Sequence, residues 1–371
     1  MPGFTLRTAV VLQPTWAAWL ASAGLTDEDV IITARPLRDA WMRNLPARVL
    51  CFEDFGHGEP TDVLMDALWA EVRSRACRRV IGIGGGSVLD TAKICALRPG
   101  ATAHQIFAKQ VAAVKDRELI LIPTTCGTGS EVTCISIAAI PALGTKLGLA
   151  VPALAADQAV LIPELAAGLP EQVLITSAID ALVHAWESYL SPNSNPLTEC
   201  FSVPAMQTIL RAFRTFRRDG RMATVPNIIS DLMLASCQAG IAFGNTGVGA
   251  VHALSYPISG RFHVPHGEAN ARFLLPVAAA YRAIEPGGRF ARCGQIISEA
   301  FDAEASKDPW QDLQCLIDDL LPPKRLSAYG MVAADGPTCA DTVISTQQRL
   351  LVNNWRPLPK PVIEAVYASI L

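Results

Sequence analysis

Six short aliphatic and β-branched runs, AVVL, DVIIT, ARVLCF, RRVIGIG, ELILIP and LGLAV, punctuate the first half of the chain. Segments of helical periodicity such as TDVLMDALWAEVRS and SVLDTAKICAL lie between them. Runs this apolar need cover on both faces, and strand–helix alternation supplies it, so a mainly parallel sheet between two helical layers is the expected arrangement. From about Pro170 the pattern changes. Long helical segments follow one another, joined by SPNSNP, GEAN, EPGG and LPPK, with no convincing strand among them. The expected organisation is therefore an α/β domain over 1–169 and an all-helical domain over 170–371. A cleft between two such halves is the natural meeting place for a cofactor and a substrate. No internal repeat or low-complexity tract interrupts this plan.

With 371 residues, half of them hydrophobic, the chain can bury a large core. A net charge of -3 and dispersed Lys and Arg leave no basic stripe for a phosphate backbone, so nucleic acid is not an expected partner. The ten cysteines contain no C-x-x-C pair and sit mostly in apolar or helical runs, as reduced thiols in a cytoplasm do. No uninterrupted apolar stretch reaches membrane-spanning length. Near the N-terminus, Arg7, the run around AVVL and WAAWL, and Ala21-Ser22-Ala23 imitate a signal peptide. Gln13-Pro14 breaks that run, and a strand, a turn and a helix account for the same residues.

Four polar residues of the second half form one constellation. Asp180 and His184 lie four apart in ITSAIDALVHAWESYL, whose periodicity puts both on one helix face. His252 lies in a second helix-like run, GVGAVHALSY, and His266 follows in RFHVPHGEAN, read as a loop because Pro265 and Gly267 flank it. One carboxylate with three imidazoles suits a divalent first-row ion such as Fe²⁺ or Zn²⁺, leaving a fifth position for a substrate oxygen. A lone D-x-x-x-H pair is more often a cap or a core hydrogen bond. What favours a metal is the gathering of four of only six histidines into two such stretches.

Two glycine-rich turns mark the first half. In RRVIGIGGGSVLDTAK, Gly84, Gly85, Gly86 and Ser87 join a strand to a helix start, where exposed backbone N–H groups and the helix dipole favour a pyrophosphate. It is not a G-x-G-x-x-G fingerprint, and alone it serves equally well as a packing turn. After ELILIP, the loop Pro123 to Glu131 offers the Thr124, Thr125, Thr128 and Ser130 hydroxyls between Gly127 and Gly129. Two such loops after two strands of one sheet are better explained by a shared ligand.

DALVHAWESYLS, VGAVHALSYPISG and HVPHGEAN resemble the three metal-bearing segments of the iron-dependent (group III) alcohol dehydrogenases. GIGGGSVLDTAK and PTTCGTGSEVT are similar to that family's two nucleotide-binding segments. The resemblance runs from about residue 30 to the C-terminus and implies a Rossmann-like domain and a helical metal-binding domain of dehydroquinate synthase-like architecture. It implies NAD or NADP bound along Gly85, Gly86, Ser87, Thr124, Thr125, Thr128 and Ser130. Asp90 would lie at the nicotinamide end, and Lys146 would reach the ribose. The implied reaction is hydride transfer between the nicotinamide and a carbonyl polarised by Asp180, His184, His252 and His266 through their ion. A small alcohol or aldehyde is the expected partner, and a homodimer or higher homo-oligomer the expected assembly.

Three departures from the family pattern matter. Thr33-Ala34-Arg35 stands where an Asp often guards the ribose, which opens the site to NADP. Tyr256 stands where many relatives carry a histidine, leaving Tyr256 and His263 as candidates to pass a proton or to bind substrate; for His263 a supporting role in the His266 loop is equally open. Ile162 replaces an aspartate before Pro163 and reads as structural. YPISGRFHVPHGEAN looks most like the 4-hydroxybutyrate dehydrogenase branch, so Arg261, with Arg272, becomes a candidate to pair with an anionic tail. Phosphonoacetaldehyde reductase and a dehydroquinate synthase-type lyase are the alternatives. The latter carries Glu-His-His at its metal, unlike the set here.

Overall fold

The computed structural model describes residues 3–98, 100–143, 145–301 and 308–371. They form two compact units. The first, Leu6–Gly168, runs β1 (Ala9–Leu12), α1 (Trp16–Ala23), β2 (Asp29–Thr33), α2 (Arg35–Trp41), β3 (Arg48–Cys51), α3 (Asp62–Arg73), β4 (Arg79–Gly84), α4 (Gly86–Cys95), α5 (Ala103–Phe107), β5 (Glu118–Pro123), β6 (Ile135–Ile140), β7 (Thr145–Ala150) and β8 (Gln158–Leu161). Six of these strands form one parallel sheet in the order β1-β8-β5-β4-β2-β3.

Alternation within the strands explains why the runs looked uniformly apolar. Val30, Ile32, Val80, Leu119 and Leu121 join a core with α3 and α4. Their neighbours Ile31, Ile81, Ile83, Ile120 and Ile122 face the other way, onto Trp16 and Trp19 of α1. Both faces are covered, as the sequence indicates. Two assignments need correction. The run LGLAV belongs to β7, which pairs antiparallel with β6 in a separate two-stranded ribbon and not in the parallel sheet. The sixth sheet strand is instead β8, four residues (QAVL) too short to show a period. At the N-terminus β1, a turn and α1 stand where a strand, turn and helix are expected.

The second unit covers Leu169–Leu371 and takes in the start of the chain up to Thr5. Its described residues form helices and no strand: α6 (Glu171–Leu190), α7 (Pro196–Asp219), α8 (Arg221–Thr246), α9 (Ala250–Phe262), α10 (His266–Ile284), α11 (Gly288–Ala300), α12 (Pro309–Leu320), α13 (Asp335–Thr346), α14 (Gln348–Leu351) and α15 (Lys360–Ser369). GEAN, expected to be a linker, lies inside α10. Among the described residues no helix is long and apolar enough to cross a membrane.

Candidate metal centre and nucleotide loops

Three helices of the second unit carry the polar constellation. Asp180 and His184 project one turn apart from α6, within a stretch buried from Ala178 to Leu190. Gly249 caps the start of α9, which carries His252. His266 is not in a loop. It is the first residue of α10, directly after Pro265 at the N-cap, because a proline there presets the helical entry and loses no needed N–H. The chain reaches that point through His263, whose left-handed conformation (φ 55°, ψ 29°) stops α9. The residue after His266 lets α10 approach α6. A side chain on Gly267 would place its Cβ 2.6 Å from the Thr176 carbonyl oxygen, so only glycine fits.

The result is a cluster buried at Asp180 and His252 and partly open at His266. One ligand atom each from Asp180, His252 and His266 lies within 4.8 Å of the other two. Asp180 Oδ1 is 3.6 Å from His252 Nε2 and 3.9 Å from His266 Nε2. His184 stands beside this trio: its Nδ1 is 3.9 Å from Asp180 Oδ2, and its ring stacks 4.6 Å from His252 and 4.2 Å from Phe243. Burial alone would raise the Asp180 carboxyl, yet the imidazoles, His184 foremost, hold it well below the usual carboxylate range. Burial would likewise depress His252, but the Glu187 charge and hydrogen bonds with Asp180 and Glu187 hold it up at about 9.

Glu187 and Asn270 complete the cluster. Glu187 Oε2 lies 2.6 Å from His252 Nδ1, and Oε1 accepts the Val251 N–H at 2.6 Å. Without an ion both ring nitrogens of His252 carry protons, Nδ1 toward Glu187 and Nε2 toward Asp180; a cation would displace the Nε2 proton, and Glu187 accepting at Nδ1 would keep the other one there, the tautomer a cation requires. Asn270 Nδ2 is 2.7 Å from Asp180 Oδ1 and 3.2 Å from the Nε2 atoms of both His252 and His266. An acid held ionised beside converging imidazole lone pairs is a donor set that fits a divalent first-row ion.

The other candidates near the cluster have mixed positions. The Tyr256 ring tilts against His266 at 6.0 Å. His263 is exposed at its turn. Both arginines already have partners: Arg261 pairs with Asp335 at 2.6 Å, and Arg272 donates from burial to the carbonyls of Leu321 and Pro322.

In the first unit, β4 and β5 are neighbours with Gly84 opposite Pro123, so the two glycine-bearing loops leave the sheet side by side. The Thr124 N–H donates to the Gly84 carbonyl. A Cβ on Gly86 would fall 2.8 Å from Thr128 Cγ2, a closeness that holds the two loops in contact. Gly85 caps α4 with no side chain in the way, and Ser87 lies in its first turn. Asp90 is spent within the protein: Oδ1 accepts from Ser130 Oγ at 2.5 Å and Oδ2 from the Ile137 N–H at 2.9 Å. Wholly buried Lys93 joins this knot through Ser130 Oγ at 2.7 Å and the Ile135 carbonyl. Lys146, on β7, pairs with Glu59 at 2.6 Å. Arg35 pairs with Asp54, and its backbone N–H donates to Glu53.

A family model described as iron-containing alcohol dehydrogenase matches residues 24–163, and its C-terminal counterpart matches 174–371. The chain belongs to the iron-containing alcohol dehydrogenase family. It is 44% identical over 318 residues to the 4-hydroxybutyrate dehydrogenase of Clostridium kluyveri, covering 86% of this chain and 85% of the relative. To the sulfoacetaldehyde reductase of Bilophila wadsworthia it is 33% identical over 301 residues, covering 77% and 75%. The solved sulfoacetaldehyde reductase of Bifidobacterium kashiwanohense in complex with NAD+ superposes with a TM-score of 0.84 at 21% identity, covering 100% of this chain and 98% of that one, which shows a shared fold. As a member of this family the chain is an alcohol dehydrogenase or aldehyde reductase. Within this alcohol dehydrogenase, Glu187, Asn270 and Lys93 are functional or site-adjacent residues that the sequence reading did not single out. The first two stand one turn from named ligands, Glu187 three residues after His184 and Asn270 four after His266, and that spacing is the cue that could have found them.

Proposed function

We propose that this enzyme interconverts a short alcohol carrying an anionic tail and its aldehyde, of the 4-hydroxybutyrate and succinic semialdehyde kind. The observation that carries the reading is the convergence of Asp180, His252 and His266 in a chain 44% identical to a 4-hydroxybutyrate dehydrogenase. In this reading Asp180, His184, His252 and His266 hold one divalent metal, Fe²⁺ or Zn²⁺. When bound, the ion supplies Lewis acidity toward a carbonyl oxygen and a nicotinamide supplies hydride. Glu187 fixes the His252 tautomer. Tyr256, beside His266, hydrogen-bonds the substrate oxygen or passes its proton, a role for which exposed His263 is the weaker candidate. Gly85, Gly86, Ser87, Thr124, Thr125 and Thr128 line the pyrophosphate; Ser130 and Asp90 shape the second loop through their mutual hydrogen bond, and Lys146 reaches the ribose. NADH is the preferred form in this reading, in place of the NADP that Ala34-Arg35 leads one to expect, because Arg35 is already paired with Asp54 and its N–H with the Glu53 carboxylate, which leaves little free positive charge there for a 2′-phosphate. A homodimer or higher homo-oligomer in the cytoplasm belongs to the same reading and rests on the family resemblance.

Sulfoacetaldehyde reductases among the relatives also act on an aldehyde with an anionic end, which supports the tail. Arg261 and Arg272 do not, since protein groups already hold them. The test is steady-state reduction by the iron-loaded enzyme with NADH. Succinic semialdehyde is expected to exceed butanal by at least about tenfold in kcat/KM, roughly 1.4 kcal/mol of transition-state preference. Arg261→Ala is expected to leave that ratio unchanged, and Tyr256→Phe to lower kcat by about ten- to a hundredfold. Equal kcat/KM for the two aldehydes would remove the anionic-tail reading.

A further inference from the structure

Asn270 is fully buried and lies one turn after His266 on the same face of α10. Its Nδ2 stands 2.7 Å from Asp180 Oδ1 and 3.2 Å from the Nε2 atoms of His252 and His266. These are the three residues that converge as candidate ligands. An amide nitrogen carries two hydrogens and no lone pair for a cation, so it can only donate here. The shortest of the three contacts goes to the charged oxygen, as charge-assisted hydrogen bonds do. The other end of the side chain explains little: Asn270 Oδ1 is buried with no hydrogen-bond partner, a cost a core position would ordinarily avoid. The residue is held for what its nitrogen does.

We propose that Asn270 is a positioning residue of the metal centre, whose amide aims the Asp180 carboxylate at the cation and thereby sets how tightly the ligands hold it. Asp180 has free torsion about its terminal bond. A donor fixed on α10 removes that freedom and ties the α6 ligands to the α10 ligand. When an ion takes the imidazole lone pairs, the hydrogen bond to Asp180 is the one that persists. Removing an outer hydrogen bond of this kind typically costs roughly ten- to a hundredfold in metal affinity. The inference rests on the reading of Asp180, His252 and His266 as metal ligands.

Two substitutions of similar volume test it in the full-length protein, by chelator-competition titration with Zn²⁺ and by thermal melts with and without Zn²⁺. Asn270→Leu removes the donor, and its Zn²⁺ dissociation constant is expected to rise at least about tenfold. Asn270→Asp replaces the donor with a second carboxylate facing Asp180. Its metal-free melting temperature is expected to fall, and its gain on adding Zn²⁺ to exceed that of the unmodified protein, because repulsion without the ion becomes attraction with it. A role confined to packing would leave the Zn²⁺-dependent part of both readouts unmoved. A dissociation constant within about twofold of the unmodified protein for Asn270→Leu, or an equal melting gain for Asn270→Asp, would overturn the proposal and leave the ligand assignment standing. Failure of the unmodified protein to take up one equivalent of Zn²⁺ would overturn both.

Discussion

At the scale of single residues, the first unit holds a buried acid with a measurable consequence. Glu131, 1% exposed, has an Oε2 with no hydrogen-bond partner, and burial pushes its carboxyl up to about 7 against Lys93 and a backbone N–H that pull it down. The folded protein therefore holds a proton that the unfolded chain releases between its ordinary 4.5 and about 7. The stabilising contribution is complete below the lower value and is lost as pH rises through the upper one. Glu131→Gln should match the unmodified protein near pH 4.5 and exceed it by about 1–3.5 kcal/mol at pH 8, the upper figure being the full shift at roughly 1.4 kcal/mol per unit. Urea denaturation at the two pH values checks this, and a pH-independent difference would show that Glu131 is ionised in both states. The convergence of Asp180, His252 and His266 was legible from histidine scarcity and the resemblance of their segments, while helical spacing bore on Asp180 and His184 alone. Glu131, Lys93 and Asn270 were not. A buried charge or amide shows in a sequence only as a polar letter among apolar ones, and the partners that decide its role, Asp180 for Asn270 and Ser130 for Lys93, lie tens of residues away.

At the scale of elements, the turn between α9 and α10 decides where His266 points. His263 is its left-handed residue, a conformation that Asn tolerates well and β-branched side chains do not. His263→Asn should keep both the melting temperature and kcat. His263→Val should lose about 1–2 kcal/mol of stability through backbone strain. Loss of turnover in a stably folded His263→Asn protein would restore His263 as a catalytic group. The same turn shows why the loop assignment for His266 missed. Pro265 and Gly267 read as loop punctuation, but proline at an N-cap and glycine under a close helix crossing are also how α10 begins. In the sheet, QAVL holds the place expected of LGLAV for a similar reason: strand propensity marks extended chain and does not say which edge it pairs with.

At the scale of the whole molecule, the candidate ligands all reside in the Leu169–Leu371 unit and the two glycine-bearing loops all reside in Leu6–Gly168. Metal withdrawal should therefore be felt by one unit alone. Hydrogen exchange followed by mass spectrometry, with and without chelator, is expected to show faster exchange in α6, α9 and α10 and unchanged exchange in β4 and α4. Equal deprotection of the sheet would mean that metal binding supports the fold globally. The architecture itself was plain from the sequence, because a change from strand–helix alternation to uninterrupted helices at about Pro170 needs no side-chain detail. The spacing between helices was not, and Gly267 carries its consequence. The contact between α6 and α10 is set by a missing methyl group in Gly267, next to His266, against the carbonyl of Thr176, which stands one turn of α6 before Asp180. The two helices work as a calliper, and the gap at Gly267 fixes the opening of its jaws. Any side chain at position 267 would have to force those jaws apart, moving His266 away from Asp180 as the helices separate.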